Sequence, residues 1–406
     1  MKLAGRGPRL NGTRPSGTGR LARGIRVKTA LTDPNLTEDE ALLAETVRGY
    51  FGDFVDNTYL NRQEESDDGY DAGRWKQLGD LGWTGVNLPE RVGGGGGSLA
   101  DAALVVREAG RAAFASPLLS SARAATVLLG LDAGERFDAV LSRIASGTPV
   151  ALVSPPDRTL SAELSGDGGY RVAGPPAVVE WLAPSEDVVL LLPVAGTDLA
   201  NTGRWLAAVL GRQLVDDRAV PVASVDNERM ARLDLAGFEL SPGSAELVEV
   251  PEAVAANALA RANLLRASSM VGGCEAVLDR TVSYALEREQ FGQVIGAFQA
   301  VRHLAARIAI AMDAARLTCA DALIRADAGE DVTAIGAVAL FAAGRSYVTA
   351  VLTAAQVHGG VGTTTEHVLH HHFRRAKAMQ LRTGKRASRL REIHQALNVR
   401  QEGSLW

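Results

Sequence analysis

Gln356-Val357-His358-Gly359-Gly360-Val361-Gly362 ends a long apolar helical period on three glycines within four residues. A helix C-terminus needs one glycine, to turn into the left-handed conformation past its last residue. Three leave the backbone amides bare, so that a ligand can approach them closely. A second corner lies upstream, where Arg288-Glu289-Gln290-Phe291-Gly292 closes one long helix and the segment Gly292 to Gly296 leads into the next. A guanidinium and a helix N-terminus both favour an anion, so this corner suits a pyrophosphate group. Alone it reads more often as a solvent ion pair beside a core aromatic; the glycine corner is what turns the pair into a candidate site. Thr363 and Glu366 offer a capping box for the helix that follows.

Outward from these corners, helical periodicity runs from about Ala253 to Glu287, Val294 to Ala328, Val332 to His358, Thr365 to Leu381 and Lys385 to Leu397. Four to five long antiparallel helices predict a bundle. Between Val150 and Val250 the texture is short and β-rich, as in Val188-Val189-Leu190-Leu191-Leu192, with Pro, Gly and Asp between the pieces. Thr37 to Gly147 is helical again and opens on the capping box Thr37-Glu38-Asp39-Glu40. These changes predict domains at 37–149, 150–251 and 252–398, with a disordered tail at 1–36 and a short tail at 399–406. The first stretch is rich in Gly, Arg, Pro and Ser, with Asp33 its only acid, and has no apolar signal-peptide core. A disordered tail or an early start codon is favoured over a transit peptide.

The chain has 406 residues, 46% of them hydrophobic, and a net charge of −4. It can bury a large core, and its charge and low aromatic content argue against nucleic acid as a partner. Cys274 and Cys319, the only cysteines, sit in apolar helical patterns and read as reduced core residues of a cytoplasmic protein. Without a run of about 18 uninterrupted apolar residues, no membrane span is expected. The glycine run Gly93 to Gly97 follows no strand pattern and lacks a following Lys-Ser/Thr, so it reads as a flexible loop and not a phosphate cradle. Consecutive helical residues point about 100° apart, so His370, His371 and His372 cannot converge on one metal ion. His367 and His371 share a helix face without an acidic or cysteine partner at helical spacing; they read as packing or interface residues, and no metal is expected.

Taken together, Ala285 to Gly292 with Phe298-Gln299, the Gln356 to Gly362 stretch, and Phe373-Arg374-Arg375-Ala376-Lys377 resemble the acyl-CoA dehydrogenase family in motif and spacing. Leu88-Pro89-Glu90 with its glycine run is similar to the family's N-terminal signature, so the resemblance covers Thr37 to Leu397. It implies a mainly α fold with a central β domain: an N-terminal helical domain, a middle β-barrel domain and a C-terminal four-helix bundle, usually assembled as a tetramer. It implies FAD in a cleft between the β domain and the bundle. The flavin takes a hydride from the β-carbon of an acyl-CoA, a glutamate removes the α-proton, and an electron-transfer flavoprotein or similar acceptor follows. By the resemblance Arg288, Phe291 and Gln299 would contact the ADP half of FAD, with Gln356, Gly359 and Gly360 beside it, all reaching across the dimer interface into the neighbour's site.

The departures from the family pattern are concentrated elsewhere. Ungapped alignment through Gly384 puts Thr383 where the family carries its base, and Thr383 cannot take an α-proton at neutral pH. The alternative base position, counted back from Ala276-Val277-Leu278-Asp279, falls on Ala262. The flavin loop corresponds to Val153-Ser154-Pro155-Pro156-Asp157-Arg158-Thr159-Leu160, with most of its hydrogen-bonding side chains gone, and the segment flanking the flavin ring aligns with Val178-Val179-Glu180. A glutamate there would set negative charge near the flavin. Arg374, Arg375, Lys377, Arg382, Lys385 and Arg386 read as a solvated basic face, with CoA or FAD phosphates as the sharper alternative. Contacts the family gives to its own flavin are therefore depleted, while those it lends to a partner's FAD remain. The expectation is a subunit without a catalytic residue of its own that completes the FAD site of a homologous, base-bearing chain, similar in kind to the heteromeric acyl-CoA dehydrogenases of bacterial sterol side-chain breakdown. Alternatives on the same fold are a self-associating, self-sufficient dehydrogenase with a relocated base, a flavin monooxygenase, and a scaffold that binds neither FAD nor CoA.

Overall fold

The Thr37 hydroxyl accepts from the Glu40 amide at 3.3 Å and the Glu40 carboxylate accepts from the Thr37 amide at 2.7 Å, so the first helix opens on the expected capping box. The computed structural model describes residues 36–403 apart from 156, 166–167 and 196–200, so the expected N-terminal tail lies almost wholly outside the described residues. Six helices come first: α1 (Glu38–Gly52), α2 (Asn57–Glu65), α3 (Ala72–Asp80), α4 (Leu99–Arg111), α5 (Leu118–Gly130) and α6 (Asp138–Ala145). Phe51, Tyr59, Trp75, Trp83 and Phe114 pack in their shared core. Between α3 and α4 the glycine run is pinned, which corrects the flexible-loop reading. The amides of Gly94, Gly95, Gly96 and Gly97 donate to the carbonyls of Pro89, Gly85, Leu88 and Val86 at 2.8 to 3.1 Å. Glycine is required for this folding-back, because a Cβ on Gly94 would sit 2.2 Å from the Leu88 carbonyl oxygen.

Ten strands follow: β1 (Val150–Val153), β2 (Ser161–Leu164), β3 (Tyr170–Ala173), β4 (Ala177–Glu180), β5 (Asp187–Ala195), β6 (Asn201–Gly211), β7 (Ala219–Val222), β8 (Met230–Leu233), β9 (Glu239–Leu240) and β10 (Glu246–Pro251). One sheet runs β10-β6-β5-β2-β3-β9 with β1 parallel to β5, and a second runs β4-β8-β7. Both sheets share one apolar core. The continuous apolar run of β5 divides by strand period: Val188, Leu190 and Leu192 face that core, while Val189 and Leu191 join the cluster of α5 and the following helix. Burial on both faces explains why the run shows no polar alternation.

The C-terminal helices are α7 (Glu252–Glu287), α8 (Gln299–Asp327), α9 (Thr333–His358), α10 (Leu369–Arg382) and α11 (Arg386–Gly403). α8 starts five residues later than the periodicity predicts, because Glu289–Gln290 and Gln293–Val294 pair as a small hairpin and a short turn at Ile295–Ala297 intervenes. α10 starts at Leu369 and not Thr365; Thr363 does not cap it, since its hydroxyl donates to the Gly360 carbonyl at 3.0 Å. α11 runs past Leu397 to Gly403, where the sequence offers no breaker before the glycine, so 399–403 is helical and not a tail. α9 with its following turn is long and apolar enough to cross a membrane, with mean hydropathy 1.6 over an 18-residue window. Its apolar faces are taken up inside the bundle, against α7, α8, α10 and α11.

Candidate functional site

A cavity of about 790 Å³ lies where β1, β4, α7, α9 and the end of α10 meet. α7 contributes Ala256, Leu259, Ala260, Asn263 and Arg266 at helical spacing, and α9 contributes Ala334, Ala337 and Leu340. Ala255, Ala258 and Ala262 belong to a neighbouring face of α7, which packs on Val127 and Leu128 of α5. Ala262 is fully buried there, so the structure sets this position among the core residues and leaves Asn263 to face the cavity. Thr383 does line the cavity, as the residue that ends α10, and its hydroxyl donates to the Gln380 carbonyl at 2.7 Å. It is a helix-end residue with its proton already placed.

The inner end of the cavity carries charge that the sequence reading caught only in part. Glu180, at the end of β4, accepts both guanidinium nitrogens of Arg266 and lies 3.6 Å from Arg123 and 3.6 Å from Arg382. Arg382 in turn donates to both oxygens of Asp226, at 2.8 and 2.6 Å, and to the Ser224 hydroxyl at 3.0 Å. Arg375 pairs with Glu228, which also accepts from the Trp181 indole. Burial opposes ionisation of Glu180, yet the field of Arg266, Arg382 and Arg123 outweighs it and holds the carboxyl well below its ordinary range. The negative charge expected beside a flavin is thus already locked to arginines. Burial raises the Glu228 carboxyl, with Arg375 opposing.

This network corrects the solvated-face reading of the basic cluster. Arg375 is buried and Arg382 half-buried, both ion-paired, and Arg374 is held by Glu64; only Lys377, Lys385 and Arg386 are exposed. Arg123 and Arg266 were missed altogether. An arginine on an otherwise small and apolar helix face, as in Leu118–Gly130, is the one signal that could have found them.

The outer corners are elsewhere. Arg288 ends α7 and is exposed, Gln299 opens α8 and is exposed, and Gln356, Gly359 and Gly360 are exposed at the end of α9; neither these five nor Phe291 lines the cavity. Phe291 is 93% exposed and sits at φ +55°, a left-handed conformation rare and strained for an aromatic residue. A Cβ on Gly359 or Gly360 would meet nothing within 4 Å, so those backbones stand open. The Tyr284 and His358 rings stack at 4.4 Å, which sets the C-terminal ends of α7 and α9 side by side. Both corners therefore project from one end of the bundle.

The histidine run turns inward. His370, His371 and His372 are buried, and the His372 Nδ1 hydrogen-bonds the Tyr347 hydroxyl at 2.7 Å. Glu64, which no helical spacing could reveal, lies with His370 and His371 in a grouping of metal-ligand type. Both Glu64 oxygens are bound by Arg374, and His370 Nδ1 faces the His367 carbonyl at 2.9 Å. A guanidinium already neutralises the only anionic ligand of that group. Burial, aided by His370 and Arg374, lowers the His371 pKa to about 3.

Helical segments flanking a two-sheet β region, one cavity between the sheets and a bundle, and paired Arg-Phe and glycine corners at the bundle's end define the architecture of the acyl-thioester-oxidising flavoproteins. The C-terminal domain of acyl-CoA dehydrogenases matches residues 253–398 and the N-terminal domain matches residues 37–148. The acyl-CoA dehydrogenase IpdE2 of Mycobacterium tuberculosis is 33% identical over 346 residues, covering 84% of this chain and 91% of that protein. Among solved structures, a Tcur3481–Tcur3483 steroid ACAD variant superposes with a TM-score of 0.78 at 23% identity, covering 90% of this chain and 99% of that one. The ChsE4–ChsE5 complex of Mycobacterium tuberculosis gives 0.77 at 23% identity, covering 89% and 98%. The chain belongs to the acyl-CoA dehydrogenase family.

Members of this family use FAD, and the residues present fit it in one place and not the other. At the inner end of the cavity Glu180 is bound to Arg266 and lies 3.6 Å from Arg382, so none of the three is a free partner for a flavin ring. The end of β1 and the loop after it offer Val153, Ser154, Pro155, Arg158 and Thr159, and Arg158 is committed to Glu252 at 2.5 Å. At the outer corners a cation, an exposed aromatic and a glycine backbone bare of side chains fit a dinucleotide approaching from outside.

Proposed function

We propose that this chain is the base-lacking subunit of a heteromeric acyl-CoA dehydrogenase, and that it completes the FAD site of a homologous, glutamate-bearing partner. The observation that carries the reading is the ion network of Glu180, Arg266 and Arg382 across the inner cavity, with Thr383 at its edge. Parting Glu180 from Arg266 would leave a buried guanidinium unpaired, at a cost of roughly 3–5 kcal/mol. FAD, when bound by the pair, supplies the acceptor for a hydride from the β-carbon of an acyl-CoA thioester. This chain's own part is to bind and orient: Arg288 meets the pyrophosphate charge, Phe291 covers an apolar face, Gln299 and Gln356 hydrogen-bond, and Gly359 and Gly360 admit close approach. The α-proton is taken by the partner, and an electron-transfer flavoprotein or similar acceptor serves the pair. That two of the similar folds bear the paired names Tcur3481–Tcur3483 and ChsE4–ChsE5 supports a two-chain arrangement.

Co-expression with a glutamate-bearing homologue is expected to yield a complex with about one FAD for each two chains, active on an acyl-CoA. This chain alone is expected to be inactive. A homo-oligomer carrying one flavin per chain, or acyl-CoA oxidation by the purified chain alone, would overturn the reading.

A further inference from the structure

The ion network at the inner end of the cavity, part of which lies behind the cavity wall, holds one cation more than it neutralises. Four arginines, Arg123, Arg266, Arg375 and Arg382, face three carboxylates, Glu180, Asp226 and Glu228. Arg266 takes Glu180, Arg382 takes Asp226 and Arg375 takes Glu228. Arg123 is left with a neutral acceptor, Asn263 Oδ1 at 3.1 Å, and a shared view of Glu180 at 3.6 Å. Its Nε makes no hydrogen bond, although the residue is only 9% exposed. The other charged residues that line the cavity are settled: Arg158 with Glu252, Arg389 with Glu392, and Asp331 as acceptor for the Thr333 amide. Burial, reinforced by Arg266, lowers the Arg123 pKa to about 9, which is the mark of an uncompensated cation.

A buried guanidinium that lines the cavity and has no carboxylate to itself is a receptor for a carboxylate. The walls beyond it are apolar, from Trp205 of β6 through Leu259 and Ala260 of α7 to Leu340 of α9. We propose that this cavity is a binding site for a monocarboxylate with an apolar body, the carboxylate accepting from Arg123 and the body lying between α7 and α9. The site is separate from the flavin site at the outer corners, and it gives the cleft of this subunit an occupant of its own.

The test is titration calorimetry on the purified full chain with decanoate and with decanamide, its neutral isostere. Wild type is expected to bind decanoate at least about tenfold more tightly than decanamide, the scale of one charge-assisted hydrogen bond. Arg123→Gln is expected to bring decanoate down to the affinity of decanamide. Asn263→Asp supplies the missing anion from within the protein, and is expected to abolish decanoate selectivity while raising the melting temperature. Absence of decanoate binding, equal affinity for the two probes, or unchanged decanoate affinity in Asn263→Asp would overturn the proposal. Visible flavin absorbance of the same samples scores the subunit reading independently: one flavin per chain defeats that reading, whereas loss of probe selectivity defeats this one.

Discussion

Glu180 is the residue on which the inner cavity turns. Three arginines from three helices point at a single carboxylate, so its removal leaves Arg123 and Arg266 without a carboxylate, while Arg382 keeps Asp226. Glu180→Gln is expected to destabilise the chain by about 3–5 kcal/mol, read from urea denaturation, because the hydrogen-bonding shape survives and the charge does not. The pH dependence follows from the same field. The folded-state pKa of Glu180 lies below its unfolded value, so its contribution is fully present above about pH 4.3 and fades as pH falls towards the folded value. The slope of stability against pH below that point is expected to be shallower in Glu180→Gln than in wild type. The sequence exposed Glu180 as out of place, and Thr383 likewise. It did not expose the partners, because Arg123, Arg266 and Arg382 lie 57, 86 and 202 positions away and no period links them. Long-range ion pairs leave no local signature.

Among the elements, the crossing of α4 on α7 is the tightest. A Cβ on Gly272 would stand 1.9 Å from the Arg107 carbonyl oxygen, and one on Gly110 would stand 2.1 Å from the Ser269 carbonyl oxygen. Each glycine makes room for the other helix's backbone, which cannot yield as a flexible side chain would. Alongside the contact, Arg107 and Arg111 of α4 pair with Glu275 and Asp279 of α7, one turn apart on each helix. Gly272→Ala adds helix propensity worth about 1 kcal/mol. Forcing the two helices apart costs more, and a net loss of about 1–3 kcal/mol is expected in thermal or urea unfolding. A stabilised Gly272→Ala would show that the helices can slide. Helix existence was legible from periodicity at every long element of the bundle, whereas faces were not. Ala262 and Asn263 are adjacent in sequence, yet only the packing of α5 and β4 decides that the first is core and the second is cavity wall. The late start of α10 was hidden for a related reason: Thr363 and Thr364 turn their hydroxyls back to Gly360 and Val361, so the glycine corner keeps the caps for itself.

At the scale of the molecule, what is intact faces outward and what is altered faces inward. Ile310, Leu317 and Ile324 recur every seven residues along the exposed face of α8 and are 50% to 71% exposed, an apolar stripe left bare in the single chain. Phe291 stands at the same side of the question: it is strained and almost bare, and in the isolated chain it gains only an edge contact with Phe298 at 6.1 Å between ring centres. Fold stability alone gives no reason to hold an aromatic residue in a left-handed conformation in water. The ligand proposed for the far side of an interface would. The two demands separate in one substitution. Phe291→Gly relieves the positive φ, so the isolated chain is expected to gain up to about 1 kcal/mol in urea unfolding, offset slightly by the freedom glycine adds to the unfolded state. In the complex with the base-bearing homologue, the same change removes the aromatic cover from the dinucleotide, and FAD is expected to dissociate about tenfold more readily, the scale of 1.4 kcal/mol of lost contact. A substitution that steadies the chain and loosens the pair's flavin would tie the strain to the neighbour's cofactor. Loss of stability without a change in flavin retention would instead make Phe291 a packing residue, and the outward reading of this corner would fall with it.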